Sequence, residues 1–348
     1  MKIIIITGSG GLIGSEAVNF FHKKYDKVIG IDNNQRSKFF GKSASVKSTI
    51  DYLKSNYQNY EHFNTDIRDK KSIDKIFNKH GSDIKAIIHT AAQPSHDFAA
   101  SDVFLDFSVN TLGTLNILDS FKKYSSKAVF IFCSTNKVYG NRPNFYNYNE
   151  TNSRLTPSSS KLKKFGFDEN LSVDQCLHSL FGSSKLAADI YCQEYARYFN
   201  LKIGIFRGGC LTGGRHKGVK LHGFLSFLVR SLIEGNEYEI IGHKGKQVRD
   251  NIHSYDLINC FNYFINKPRE GEVYNIGGGI ENNCSIIEAI KIAEKISGKK
   301  MKFKFSVNPR IGDHIWWVSD IRKFQSHYPT WKQKFDIHST IEDIIKHS

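Results

Sequence analysis

Gly8, Gly11 and Gly14 recur at three-residue spacing directly behind an isoleucine-rich run from Lys2 to Thr7, and a helix-like segment opens at Leu12. A strand that runs into a glycine turn and then a helix leaves unpaired backbone N–H groups and a positive helix end facing one point. That arrangement holds an anion and suits a pyrophosphate. The glycines let the chain turn tightly and let a ligand approach the backbone with no Cβ in the way. Val28 to Ile31 is a second short apolar run, and Asp32 stands at its end. A carboxylate there accepts hydrogen bonds from ribose hydroxyls and repels a 2′-phosphate, which favours NAD over NADP. Asn33 and Asn34 also fit a plain turn, and Arg36 is close enough to leave some room for NADP.

The elements that must position these residues alternate. A helix is predicted near Val46 to Ser55, and strands over His62 to Asp66 and Ile84 to His89. The small residues Thr90, Ala91 and Ala92 follow the latter, where a cofactor can lie close to the backbone. Val103 to Tyr124 suits a long helix carrying Asn110, and Ala128 to Ser134 is a further strand with Ser134, Thr135 and Asn136 at its C-terminal end. In an open parallel sheet ligands sit at that end. From Asn141 to Leu177 periodicity is lost, over a length that suits a functional loop or lid. Ser179 to Phe199 reads as an amphipathic helix, and Leu201 to Arg207 as a sixth strand. The pattern predicts an α/β, doubly wound parallel sheet (Rossmann) with a smaller C-terminal α/β lobe. Residues 1–208, with part of 242–270, make the NAD-binding domain; 209–241 and 271–348 make the substrate-binding lobe. Short strands are predicted there over Tyr238–Ile241, Val273–Ile276 and Met301–Phe305, and helices over Gly223–Ile233 and Ile286–Ser297.

A chain of 348 residues with 40% hydrophobic and 24% charged residues is globular, and no apolar run reaches the length of a membrane span. The N-terminal isoleucines are followed at once by the glycine loop rather than by a cleavage site, which points to a cytoplasmic protein. Six scattered cysteines without close pairs argue for reduced thiols and against a zinc site, so no metal is expected. The formal charge of +15 is spread over mostly single lysines, without a nucleic-acid-binding motif. It reads as a solvated surface with mild attraction for an anionic small ligand.

The segment Thr7-Gly8-Ser9-Gly10-Gly11-Leu12-Ile13-Gly14 resembles the cofactor loop of the extended short-chain dehydrogenase/reductases, the NAD-dependent epimerase/dehydratase group. Asp66-Ile67, Ala91-Ala92, Asn110, Ser134-Thr135, Gly182 to Lys185, Arg249-Asp250 and Asn275 to Gly278 extend the resemblance over nearly the whole chain. Within the group, Ser134 to Gly140, His178-Ser179 and Lys246 to Asp250 are similar to segments of CDP-paratose (CDP-tyvelose) 2-epimerases. The resemblance implies that NAD is held by Gly8, Gly11, Leu12, Ile13, Gly14, Asp32, Asn33, Asp66, Ile67, Ala91, Ala92, Asn110, Ser134 and Lys185. It implies a nucleotide-diphosphate sugar substrate, a CDP-sugar favoured, contacted by Gln93, Thr135, Asn136, Arg249 and Arg310. His216, Lys217 and His222 are further candidates for phosphate or base contacts. It also implies a homodimer formed by the helices near Asn110 and Lys185.

The implied reaction withdraws a hydride from a sugar carbon and returns it to the other face, so a base must stand at the sugar. In the family that base is a tyrosine four residues before a lysine. Lys185 matches the lysine, but the tyrosine position is Phe181. Candidates to replace the hydroxyl are Tyr139, Thr135, Ser134, His178 and Lys185, of which Thr135 with Lys185 is favoured; the catalytic set is Thr135, Lys185, Phe181 and Asn136. The related dehydratases carry an acid pair where this chain has Asn136 and Lys137, so dehydration is disfavoured. The implied function is epimerisation in surface-glycan synthesis. Its alternatives are a net dehydrogenase, or a catalytically impaired module that binds a nucleotide sugar.

Overall fold

The computed structural model describes residues 1–216, 218, 223–306 and 313–348. These divide into two compact units.

The first unit comprises residues 1–138, 180–207 and 258–274. Its sheet has seven strands: β1 (Ile3–Thr7), β2 (Lys27–Ile31), β3 (Tyr60–Phe63), β4 (Ile84–His89), β5 (Val129–Thr135), β6 (Lys202–Gly208) and β7 (Glu272–Ile276). Their spatial order is β7-β6-β5-β4-β1-β2-β3. β1 pairs in parallel with both β2 and β4, β2 with β3, and β4 with β5. All five residues of β1 are buried, as a strand covered on both faces requires. Strand order reverses between β1 and β4, and in such sheets ligands bind outside the strand ends at that point. Ile3 and Ile5 of β1, Phe130 and Phe132 of β5, and Ile203 and Ile205 of β6 share one core with Ile117, Leu118 and Phe121.

Three expectations shift. The third strand ends at Phe63 because Thr65 N donates to Phe63 O and turns the chain, placing Asp66 beyond the strand. The helix predicted over Val103 to Tyr124 is helical throughout but carries a π-turn over Ser108–Leu112, with Asn110 at its centre. Glu272–Ile276, assigned by sequence to the smaller lobe, is the edge strand of the large sheet. The helix over Ser179–Phe199, here α2, has the predicted bounds, and the glycine turn opens α1 (Leu12–Phe21).

The second unit comprises the described residues among 139–179, 208–257 and 275–348. The strand Val248–His253 pairs with Asn283–Ser285, Trp316–Trp317 and Cys210–Thr212. Helices Phe224–Glu234, Ile286–Ser297 and Ile337–Lys346 share a core containing Leu228, Ile290 and Ile341. Residues 139–179, placed by sequence in the first domain, belong to this unit. Tyr139 stacks on Trp317 with ring centroids 5.3 Å apart, and Phe167 does so at 5.4 Å. Asn275 accepts from the Tyr139 hydroxyl at 2.8 Å and donates to Phe167 O at 2.9 Å. No helix among the described residues is long and apolar enough to cross a membrane.

Candidate active site

The glycine turn fits a dinucleotide by what it lacks. Gly8 has φ +68°, and a Cβ there would stand 2.8 Å from Ala91 N; a Cβ at Gly14 would stand 2.0 Å from Gly8 O. Among the described residues no side chain caps α1 at Gly11, and the first-turn N–H groups of such a helix, here including Leu12 and Ile13, are suited to an anion. Asp32, just past β2, accepts from Gly10 N at 2.9 Å and Asn34 N at 2.7 Å. Burial pushes its carboxyl pKa up, and these two backbone bonds oppose the shift. A carboxylate has further lone pairs to offer, so the ribose role remains open to it. Asn33 donates to Asp66 at 3.1 Å, and Arg68 engages both oxygens of Asp66 at 2.6 and 3.0 Å. Ile67 is buried, and a Cβ on Gly113 would stand 2.5 Å from its Cδ1. Arg36 lies over the Phe40 ring at 4.8 Å, and burial lowers its pKa to about 10.

A buried histidine, not singled out from the sequence, ties this turn to the next loop. His89 lies 2.6 Å from Thr7 Oγ1 and 2.9 Å from Thr114 Oγ1. Ala91 N donates to Thr7 Oγ1 at 3.2 Å, so the Thr7 hydroxyl proton goes to His89 Nδ1. Nε2–H then donates to Thr114, whose own hydroxyl donates to Asn110 O at 2.6 Å. Burial holds His89 neutral, with a pKa of about 3. It is a strut with a fixed tautomer that sets where Ala91 stands.

Asn110 is a second hub. Its amide donates to Gln93 O, Asp106 Oδ1 and Ser184 Oγ, each at 3.0 Å, and accepts from Gln93 N at 2.8 Å. Gln93, read from sequence as a substrate contact, is corrected here. It is fully buried, and its side chain bonds Asp106 Oδ1 at 2.7 Å, Ser95 O at 2.9 Å and Ser95 N at 2.6 Å. Asn110 likewise acts as a brace between the loop after β4 and α2.

The strand end of β5 divides its residues by direction. Ser134, expected at the cofactor, donates inward to Asp189 Oδ2 at 2.6 Å. Asp189 is fully buried between Arg207, at 2.9 and 3.0 Å, and Gln193 at 2.7 Å. Thr135 is half-buried; its hydroxyl accepts from Lys137 N at 3.2 Å and reaches Asn136 Oδ1 only at 3.5 Å. Asn136 is buried. Lys185, on α2, donates to Cys133 O at 3.0 Å with its ammonium 4.2 Å from the Phe132 ring centroid. Burial is the first cause of its lowered pKa. Phe181, one turn earlier on α2, is buried and meets the His96 ring at 5.0 Å and 65°. Sequence reasoning passed over His96, Asp106 and Asp189 because none lies in a recognisable motif.

In the second unit, Tyr139 is fully buried with its hydroxyl on Asn275, and His178 turns Nδ1 to Cys176 O at 3.1 Å. Arg249, expected at the substrate diphosphate, has protein partners of its own. It is buried, donates to Val248 O at 2.8 Å, and pairs with Asp313 at 2.5 Å. Asp250 is structural, accepting from Ser319 N at 2.9 Å. His216 is buried, with Gly223 so close that a Cβ there would stand 2.3 Å from its ring. Arg310, Lys217 and His222 lie outside the described residues.

The model of the NAD dependent epimerase/dehydratase family matches residues 4–277. CDP-paratose 2-epimerase of Salmonella typhi is 33% identical over 92% of this chain and 91% of its own. A putative UDP-glucose 4-epimerase of Methanocaldococcus jannaschii is 27% identical over 99% of this chain and 97% of its own. Among solved structures, UDP-glucuronic acid 4-epimerase from Bacillus cereus, in complex with UDP-glucuronic acid and NAD, matches with a TM-score of 0.78 at 23% identity, covering 99% of this chain and 98% of that one.

Proposed function

The chain belongs to the NAD dependent epimerase/dehydratase family, and from that premise we propose that it epimerises a nucleotide-linked hexose or deoxyhexose, a CDP-sugar by preference. The observation that carries epimerisation over dehydration is the end of β5. Asn136 and Lys137 stand there, and neither offers the carboxylate that elimination of water needs as its acid and base. Bound NAD supplies a reversible hydride acceptor at one sugar carbon. Gly8, Gly11, Gly14 and the first turn of α1 take its pyrophosphate, Asp32 its ribose hydroxyls, and Ala91 and Ala92 leave room beside the backbone. The buried ammonium of Lys185 holds the nicotinamide ribose and stabilises negative charge developing on a sugar oxygen. Thr135 orients the sugar hydroxyl. In the second unit, Arg249 is the guanidinium for the diphosphate, whose oxygens would take the place of Asp313 on its planar fork.

The similarity to CDP-paratose 2-epimerase supports the cytidine preference and a place in cytoplasmic synthesis of surface-glycan sugars. A homodimer is supported by exposed apolar side chains on the two helical segments concerned: Phe104 at 89%, Phe107 at 44% and Leu112 at 46%, with Tyr191 at 46% and Tyr198 at 79%. Phe181 favours the second reading, a module that binds a nucleotide sugar without converting it. One experiment separates the readings. The protein is incubated in heavy water with CDP-paratose, UDP-glucose and GDP-mannose while NADH absorbance is followed. An inverted sugar with no lasting NADH is the expected result. Steady NADH accumulation would make it a net dehydrogenase, and tight binding without conversion would make it the module.

A further inference from the structure

We propose that His96 is the acid/base that stands in for the absent tyrosine hydroxyl, an assignment that rests on the epimerase reading above. Three observations converge on it. The His96 imidazole meets the Phe181 ring at 5.0 Å and 65°, so a titratable side chain lies against the position where the family carries its phenol. His96 also follows the C-terminal end of β4, on the edge of the sheet where ligands bind, and is half-buried rather than solvated. Its backbone is held firmly. Ser95 caps the helix His96–Ser101 by accepting from Phe98 N at 3.2 Å, and Ser95 is itself clamped at both its N–H and its carbonyl by Gln93. Gln93 in turn is fixed by Asp106 and Asn110. The buried, hydrogen-bonded amide of Gln93 thereby fixes the placing of the residue at the start of that helix.

The other candidates are weaker on chemistry or position. The Tyr139 hydroxyl is taken up by Asn275, Ser134 by Asp189, and His178 faces Cys176 O. Thr135 has a hydroxyl but no affinity for a proton near neutral pH, and Lys185 is held on Cys133 O. Imidazole is the one side chain whose ordinary pKa lies near neutrality, where a proton acceptor that must also return its proton works best. The step assigned to His96 is a proton transfer. As the sugar C–OH becomes a carbonyl, the O–H proton passes to an imidazole nitrogen and the O–H electron pair closes the C=O bond, while the C–H hydrogen and its electron pair leave as the hydride that NAD takes up. When the hydride returns to the carbon, the imidazolium returns its proton to the oxygen, and no net oxidation remains.

The test compares wild type with His96→Gln, His96→Ala and Phe181→Tyr/His96→Ala, using CDP-paratose, UDP-glucose and GDP-mannose. Melting temperature and NADH binding establish that each variant is folded and loaded. Loss of the acid/base lowers kcat by ~10²–10⁴-fold with KM little changed. The acidic limb of the wild-type pH profile disappears, imidazole in the buffer rescues His96→Ala but not His96→Gln, and Phe181→Tyr restores turnover in the His96→Ala background. Independently of turnover, the His96 ring resonance, assigned by its loss in His96→Gln, shifts when the converted nucleotide sugar is added. A His96→Gln enzyme as fast as wild type with the same pH profile, or a resonance that does not move, overturns the assignment alone. A wild-type protein that leaves all three compounds unchanged overturns the epimerase reading, and this assignment with it.

Discussion

A Cβ at position 14 would stand 2.0 Å from Gly8 O, closer than any side chain tolerates, so Gly14→Ala must displace the turn proposed for the pyrophosphate. The expected outcome is a loss of NADH affinity of at least about tenfold, with stability falling by about 1–3 kcal/mol, read by fluorescence titration and urea unfolding. Phe181→Tyr is the opposite case. The ring is buried and already lies against His96, so adding one hydroxyl should keep NADH affinity and melting temperature and raise turnover. A collapse of cofactor binding on that change would contradict the site as drawn. Asp189 carries no chemistry of its own but accepts from Ser134, Arg207 and Gln193 with no solvent exposure. Asp189→Leu would take from the buried Arg207 guanidinium the carboxylate it meets at 2.9 and 3.0 Å, at a cost of about 3–5 kcal/mol in urea unfolding. The glycine turn was legible in the sequence because the strand, the turn and the helix that shape it are contiguous in the chain. Asp189, His89 and Gln93 were not, because each acquires its role from partners many residues away that only the fold brings together.

Elements turn these residues into a site, and the π-turn over Ser108–Leu112 shows how. One wider turn in an otherwise α-helical run aims Asn110 at three elements at once, toward the loop after β4, toward Asp106 and toward Ser184 on α2. π-turns in helices recur at functional positions for this reason. Asn110→Ala leaves Gln93 N and Asp106 short of partners and should cost about 2–4 kcal/mol, with slower turnover because the segment carrying His96 loosens. Hydrophobic periodicity predicted the helix but not the π-turn, since one extra residue in a turn alters the pattern too little to read. The strands of the large sheet were readable as apolar runs. Assignment of β7 failed because sequence order says nothing about which sheet a late strand completes. In the second unit, the strand carrying Arg249 also carries Asp250, whose carboxyl is pushed to about 6 by burial despite bonds from Ser319 N and Gly279 N. An unfolded Asp titrates near 3.9, so the folded state holds this proton more tightly. Its contribution is full below about pH 4 and is lost as pH rises through about 6. Relative to Asp250→Asn, the wild-type protein should therefore gain on the order of 2–3 kcal/mol between pH 7.5 and about 4.5. Urea midpoints across that range check it, and a flat difference curve would mean an ordinary carboxylate.

At the scale of the whole molecule the question is what covers the apolar residues left on the outside of the first unit. Phe104 is 89% exposed and Tyr198 79%, far more than a folded chain gains by leaving such rings in water. Val103, Phe107 and Leu112 extend the first patch along one helical segment, and Ile190 and Tyr191 extend the second along α2. Both segments also carry the internal bonds of the site, Asn110 on one and Ser184 on the other, so whatever seats on their outer faces also stiffens the hub between them. A formal charge of +15 opposes self-association at long range, yet screening over about 10 Å at moderate salt confines that repulsion and leaves contact burial to decide. The proposed homodimer would bury these apolar faces. Phe104→Glu places a charge at the most exposed ring and should convert the proposed dimer to a monomer in sedimentation velocity, and the proposed wild-type dimer should strengthen as salt rises. The monomeric variant should still bind NADH. Its turnover should fall through the loosened Asn110–Ser184 bond rather than through lost cofactor. A wild-type protein that stays monomeric at high concentration and high salt would leave these faces to some other partner and remove the dimer from the proposal.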